Sequence, residues 1–359
     1  MRRSSRRARS SGAGAAVLII AGGRGARLWP ETRVTRPKPL LRLSGRRSLI
    51  EETIARHQPL VPRNRIFVLV PRSQAPSFRR ALRGVLAAGN LLVEPQERGT
   101  AVAIAYGCAL IRRRLGEVML AVMPADHYVA PPAAFRRTLR AALKLASRHR
   151  TIALIGVPPA RADPGYGYFQ TGAPLDGGFR VVRFVEKPSI ASARRMIRSG
   201  RFLWNAGMFV MSSQTLAARL GEHCPALAAA MDQFGASASN TRRLYARLRL
   251  DSFDRAVIEK SAGTLAVRAS FQWHDVGSWE GLWEAMRGDR RNVLAGRVLA
   301  LDSDGILARA GRRLIVMLGV EDLIAIDTTD ALLIARRSRS QEVRRVIDEL
   351  ARGGLHRYL

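Results

Sequence analysis

Short runs of consecutive apolar, largely β-branched residues recur through the first half of the chain, separated by longer stretches in which apolar positions return every three or four residues. The runs at 17–21, 66–70, 91–94, 118–123 and 152–157 predict strands buried on both faces. Residues 48–58, 76–88, 100–114 and 134–147 have the length and spacing of amphipathic helices. Strand–helix alternation of this kind predicts an α/β fold with a mainly parallel sheet covered by helices. Ligands in such sheets bind beyond the carboxyl ends of the strands. That rule sets Gly22, the Glu94-Pro95 turn and residues 124–126 on one rim. After about Arg287 the texture changes. Residues 292–334 give short apolar strands broken by turns at 302–305, 310–312, 319–322 and 327–330, and 340–351 reads as a closing helix. The expected division is a main unit over 15–287 and a small β-rich unit over 288–359. Residues 1–14, with five arginines and no acid, read as a disordered basic tail.

Charge changes the picture less than its size suggests. The 359 residues carry a formal net charge of +32, and only four of the 60 basic residues are lysine. The arginines are spread over every predicted helix rather than gathered into a stripe, and aromatics are sparse, so no specific nucleic-acid partner is expected. A general polyanion-binding protein is the reading that would make the charge itself the function. No apolar run approaches the roughly 20 residues of a membrane span. Cys108 and Cys224 lie far apart without a CxxC, which suits a reducing compartment. Arginines ahead of apolar 15–21 have the order of a secretory signal, but cleavage there would remove the strand that leads into the glycine turn. The expected location is the cytoplasm.

Three groups of residues could carry chemistry. In Ala21-Gly22-Gly23-Arg24-Gly25-Ala26-Arg27-Leu28-Trp29-Pro30, a strand runs straight into glycines, whose missing Cβ atoms let backbone N–H groups close on phosphate oxygens. Arg27 and Lys38, in Pro37-Lys38-Pro39-Leu40, bring the fixed positive charge a triphosphate requires. The pattern is neither GxGxxG nor a P-loop, and no acidic residue follows at the distance a dinucleotide site needs. Second, Asp126 in Met123-Pro124-Ala125-Asp126-His127 and Asp275 in Trp273-His274-Asp275-Val276-Gly277-Ser278-Trp279 could supply the carboxylate pair that Mg2+ takes, although either Asp could equally cap a turn. The neighbouring His127 and His274 read as hydrogen-bonding imidazoles, because no HExxH or Cys/His spacing accompanies them. Third, Gly165-Tyr166-Gly167-Tyr168, Phe184-Val185-Glu186-Lys187-Pro188 and Trp204-Asn205-Ala206-Gly207 combine glycine turns, aromatics and polar groups suited to a sugar phosphate. Three of the four lysines, Lys38, Lys187 and Lys260, fall in candidate segments, in a chain that otherwise answers demands for positive charge with arginine.

Taken in order with Glu94-Pro95, Gly99-Thr100-Ala101 and the Asp254–Lys260 segment, these motifs resemble the sugar-1-phosphate nucleotidylyltransferases, and among them the mannose-1-phosphate guanylyltransferases. The resemblance runs from about Ala15 to Leu350. It implies a Rossmann-like nucleotidyltransferase domain followed by a short β-helical segment. The implied reaction converts GTP and mannose 1-phosphate to GDP-mannose and pyrophosphate, with Mg2+. On the matching positions, Gly22, Gly23, Gly25 and Arg27 would hold the nucleotide, with Lys38 on the triphosphate. Glu94 and Thr100 would lie by base and ribose, and Asp126 and Asp275 would bind magnesium. Gly167, Glu186 and Asn205 would contact the hexose, and Lys187 its phosphate. A homodimer is an assembly open to such a chain. Near the nucleotide this sequence departs from the usual pattern. Gly99 stands where Asn is common, Val102 where Pro is, and Pro39 where Gln is. A relative acting on another base or hexose would share the fold and the chemistry.

Overall fold

The computed structural model describes residues 14–23, 25–43, 45–248 and 251–359; the basic tail expected over 1–14 falls, apart from Gly14, outside them. A nine-stranded sheet forms the body of the molecule. Its strands are β1 (Ala15–Ile20), β2 (Ile66–Pro71), β3 (Leu91–Glu94), β4 (Met119–Pro124), β6 (Ala153–Val157), β7 (Tyr168–Leu175), β8 (Gly178–Val185), β9 (Phe202–Ser212) and β10 (Leu265–Arg268). The short strand β5 (Tyr128–Ala130) pairs apart from it with β11 (Gln272–His274). The order across the large sheet is β3-β2-β1-β4-β9-β6-β10-β8-β7. The first four strands are mutually parallel, as are β6 and β10. β9 enters antiparallel between β4 and β6, and the β7–β8 hairpin closes the far edge. The parallel arrangement read from the sequence therefore describes the nucleotide-side half, while the half built after residue 165 adds hairpin pairing.

β1 shows why its apolar run is unbroken. Val17 and Ile19 point into a cluster with Ile54, Phe135 and Leu139, whereas Ala16 and Leu18 point into a second cluster with Ile104, Cys108 and Phe253. Both faces are dry, so period-two alternation disappears. The helices follow their end signals. Ser48 opens the Leu49–His57 helix with a capping box to Glu51. The stretch expected as a helix over 76–88 forms one only over Ala75–Ala81. The chain then turns through Gly84 at φ 78, a conformation its lack of Cβ permits and a helix does not use.

After the Trp279–Arg287 helix come β12 (Val293–Ala295), β13 (Val298–Leu301), β14 (Leu307–Arg309), β15 (Ile315–Leu318), β16 (Leu323–Asp327) and β17 (Leu332–Arg336), then the closing Val343–Arg352 helix. β12, β14 and β16 stack in parallel, as do β13 and β15, which gives the winding of a short β-helix. This unit closes a small core of its own around Ile306, Ala308, Met317 and Ala325, and packs its other face on the main body. Leu307, Ile324, Ile326 and Val343 share a cluster with Leu28, Trp29, Leu41 and Leu43 from the segment after the glycine turn. Polar ties reinforce the contact. Arg309 Nε donates to Glu31 Oε1 at 2.7 Å, Trp29 Nε1 donates to the Tyr358 carbonyl at 2.8 Å, and Trp279 Nε1 donates to the Trp29 carbonyl at 2.9 Å. Among the described residues no helix is long and apolar enough to cross a membrane.

Trp279 is fully buried. Trp279→Phe keeps most of the ring packing but strands the Trp29 carbonyl, which should lower stability by about 1–2 kcal/mol in urea unfolding. An unchanged midpoint would show that this tie carries no weight.

Candidate active site

The carboxyl ends of β1, β3 and β4 open onto a cleft of about 480 Å³. It is lined at one end by Glu94 and Thr100 and at the other by Gly167, Glu186, Lys187 and Asn205, with Gly22, Gly23 and Asp275 between. Because β1, β3 and β4 run parallel, their following turns fall on one rim, and the backbone alone brings Gly22 and Glu94 together.

Glu94 ends β3 and is buried, and its Oε1 has no hydrogen-bond partner among the described residues. Burial, aided by the nearby Glu97 charge and opposed by the Arg98 backbone N–H and the Tyr245 hydroxyl, raises its carboxyl to about 7. Oε1 is thus an acceptor atom still open on a carboxyl that the protein otherwise holds in place. Thr100 also faces the cleft, but its hydroxyl accepts a hydrogen bond from the Phe253 backbone N–H at 2.8 Å. Beside it, Gly99 has φ +82, and a Cβ there would lie 2.3 Å from the Asp251 carbonyl oxygen. The departure from Asn at this position has a physical reason: the 251–253 backbone occupies the space a side chain would need.

At the other end, Asn205 Nδ2 donates to Asp254 Oδ1 at 2.6 Å, while its Oδ1 accepts from the Gly207 N–H at 3.2 Å. Glu186 lies over Gly167, where an added Cβ would stand 2.6 Å from Glu186 Oε2. Burial first, then the Asp254 charge, raises the Glu186 carboxyl; burial likewise raises Asp254. Lys187 Nζ sits 3.6 Å from Glu186 Oε1, and its backbone is held at φ 48. That left-handed conformation is uncommon in a residue with a side chain, and such strain concentrates at functional sites. From sequence Asp254 stands only as the start of the Asp254–Lys260 motif, without a role at the site. It lies in the first turn of a short helix, and the fold turns it toward Asn205.

Between the two ends stands a charged junction. Lys38 Nζ forms an ion pair with Asp126 Oδ2 at 2.8 Å and also donates to the Asp275 carbonyl. Burial works to raise the Asp126 carboxyl, but the Lys38 ammonium, through its charge and its hydrogen bond, outweighs it and holds the acid below its ordinary value. Asp275 Oδ1 accepts from the Gly277 N–H at 3.2 Å, and the Tyr166 hydroxyl donates to the Asp275 carboxylate. Between these residues Val276 is fully buried at φ 47, a genuine outlier for a β-branched side chain. Burial pushes His127 down to about 4, so the ring is neutral, and its Nδ1 accepts from Trp273 Nε1 at 3.0 Å. The two carboxylates expected on magnesium thus stand on separate loops around Lys38, which pairs with the Asp126 carboxylate and the Asp275 backbone carbonyl, and no group of three or more His, Cys, Asp or Glu among the described residues could hold a metal alone. A magnesium ion on these two carboxylates would need ligand oxygens and water to complete its shell.

Gly22 and Gly23 also line a second cavity of about 540 Å³, together with Gly25, Arg27, Lys38 and Asp126. Gly25 has φ +65, and a Cβ on it would come within 2.6 Å of Lys38 Cβ, so glycine is required for the turn to close on the lysine. Lys260 lines neither cavity and is exposed.

Glu94 yields a pH prediction. Its folded-state value lies above the ordinary one, so between about 4.5 and 7 the folded protein binds a proton that the unfolded chain has released. Stability from this group is therefore lost as pH rises through that window, by up to about 3 kcal/mol. Glu94→Gln should unfold at higher urea than the parent at pH 8 and close to it at pH 4.5. A variant whose advantage does not grow with pH would contradict the assignment.

Two family models match. Nucleotidyl transferase covers residues 16–292, and the MannoseP isomerase/GMP-like beta-helix domain covers 296–350. The xanthan biosynthesis protein XanB of Xanthomonas campestris pv. campestris (strain B100) is 34% identical over 94% of this chain and 73% of its own length. A mannose-1-phosphate guanylyltransferase of Klebsiella pneumoniae is 32% identical over 93% of this chain and 73% of its own. The crystal structure of a mannose-1-phosphate geranyltransferase from Thermus thermophilus superposes with a TM-score of 0.88 at 36% identity, covering 94% of this chain and 99% of that one. With its sheet, its glycine turn and its β-helical tail all accounted for, the chain belongs to the nucleotidyl transferase family, in the mannose-1-phosphate guanylyltransferase branch.

Proposed function

We propose that this protein transfers GMP from GTP to mannose 1-phosphate, giving GDP-mannose and pyrophosphate. The observation that carries the reading is one cleft that holds both the buried Glu94 carboxyl, with an open acceptor atom, and a sugar-sized set of polar groups, and that meets at Gly22 and Gly23 a second cavity lined by Lys38 and Arg27. A phosphate monoester is already a nucleophile at neutral pH, so no general base is needed. A phosphate oxygen of the sugar attacks the α-phosphorus as the α–β bridging bond breaks, and pyrophosphate leaves with the electron pair. The protein's part is alignment and charge. Asn205, Glu186 and Asp254 offer acceptors and a donor to hexose hydroxyls, and Lys187 offers a point charge to the sugar phosphate. The N–H groups of the glycine turn, Arg27 and Lys38 meet the triphosphate. Magnesium held by Asp126 and Asp275 would neutralise phosphate charge there. Glu94 favours guanine, because only guanine offers two adjacent donors, N1–H and the 2-amino group, to one carboxylate. Val276 and Gly277 fix the direction of Asp275 through their backbone.

Pyrophosphate release, measured across GTP, ATP, UTP and dTTP with mannose 1-phosphate or glucose 1-phosphate, should be confined to GTP with mannose 1-phosphate. Release with a different pair would keep the chemistry and move the substrate; none with any pair would remove the reading. Asp275→Ala should lower turnover by at least about a hundredfold in a protein that stays folded. Gly167→Ala presses on Glu186, so the KM for mannose 1-phosphate should rise about tenfold or more while that for GTP stays within about twofold. An equal rise in both would place Gly167 outside the sugar subsite.

A further inference from the structure

The second cavity has a wall that does not come from the catalytic sheet. Arg344, Ile347 and Asp348 of the closing Val343–Arg352 helix face the same space as Gly25, Arg27 and Lys38. The β-helical unit that carries this helix is fastened to the glycine turn's own continuation. Trp29 is held by Tyr358 at 2.8 Å, Glu31 by Arg309, and Arg33 by Asp330 at 2.9 Å. The helix is thus set at a defined distance from the turn.

In-line displacement fixes what this cavity must receive. The attacking sugar phosphate approaches from the first cleft, so the leaving group departs on the opposite side of the α-phosphorus, through the Gly22–Gly23 junction. The charges around the second cavity are partly spoken for. Lys38 is paired with Asp126 and Arg33 with Asp330, whereas Arg27 and Arg344 have no ion-pair or hydrogen-bond partner among the described residues. Asp348, one helical turn after Arg344, is the uncompensated acid on this wall, and it forms no ion pair with Arg344. A guanidinium presents two parallel N–H donors in a fixed fork to two phosphate oxygens, which the point charge of a lysine does not.

We propose that Arg344, from the C-terminal β-helical unit, is a substrate-binding residue that grips the β- and γ-phosphates of the nucleotide and the departing pyrophosphate opposite Arg27. This rests on the nucleotidyl-transfer reading above and adds to it a residue from the second unit. The β-helical unit then forms part of the leaving-group site.

The test is equilibrium binding to the full-length chain, read by calorimetry with magnesium present, for pyrophosphate, GTP, GDP-mannose and mannose 1-phosphate. Arg344→Ala should weaken pyrophosphate and GTP about tenfold. GDP-mannose and mannose 1-phosphate, which lack the pyrophosphoryl leaving group of GTP, should stay within about twofold of the parent. Arg344→Lys should recover part of the loss, since it restores charge without the fork. Asp348→Asn should leave pyrophosphate affinity unchanged or tighten it. Unchanged pyrophosphate affinity in Arg344→Ala overturns the proposal. So does an equal loss for all four ligands, which would mark Arg344 as structural. Failure of the parent itself to bind GTP would instead overturn the nucleotidyl-transfer reading, so the two failures are distinguishable.

Discussion

The rest of the site depends on one buried ammonium. Lys38 is 7% exposed and joins the Asp126 carboxylate, after β4, to the carbonyl of Asp275, after β11. Those loops are separated by about 150 residues of chain. Taking such a charge out of water costs several kcal/mol, which only close, well-placed oxygens offset. A lysine meets the demand because its compact charge can serve oxygens on two loops at once, whereas a planar guanidinium would impose its own fork. In a chain with 56 arginines, a lysine at this position has a steric and electrostatic cause. The same contact requires Gly25, since any Cβ there would collide with the lysine stem.

From this junction the remaining geometry follows. The glycine turn packs on Lys38, and the segment after it, Leu28 to Leu43, packs on the β-helical unit through a shared apolar cluster. A movement of that unit would be felt at the turn, because Trp29, Glu31 and Arg33 are each tied to it. The two units share a core, so neither presents its part of the phosphate cavity independently. Left-handed Lys187 on the sugar side and Val276 at the charged junction hold their neighbours in conformations that the surrounding packing must over-determine.

Much of the fold was legible because its signals are local. Continuous apolar strands mark burial on both faces, the Ser48–Glu51 capping box marks a helix start, and turns after residue 292 mark the short strands of the second unit. The rim assignment of Gly22, Glu94 and 124–126 also came from a local signal, since parallel strands align their ends. The antiparallel insertion of β9 was not legible, because strand direction is set by which neighbour covers an edge and a buried apolar run looks the same either way. The contact of Asp254 with Asn205 was hidden for a related reason: the two stand 49 residues apart in sequence.

The sequence by itself determined which chemical groups were available: glycines at a strand end, a rare lysine, two aspartates in apolar frames, and a polar-aromatic set suited to a sugar. These are properties of residue type and spacing, and they carry a family resemblance without coordinates. Only the tertiary structure decided which of them meet. It set Lys38 against Asp126 and Asp275, turned the Thr100 hydroxyl to the Phe253 backbone, left Glu94 Oε1 open to the cleft, and brought Arg344 to the phosphate cavity. The physical reason is that charge pairing and desolvation act through space at a few ångströms, whereas spacing along the chain constrains distance only within a single strand, helix or turn.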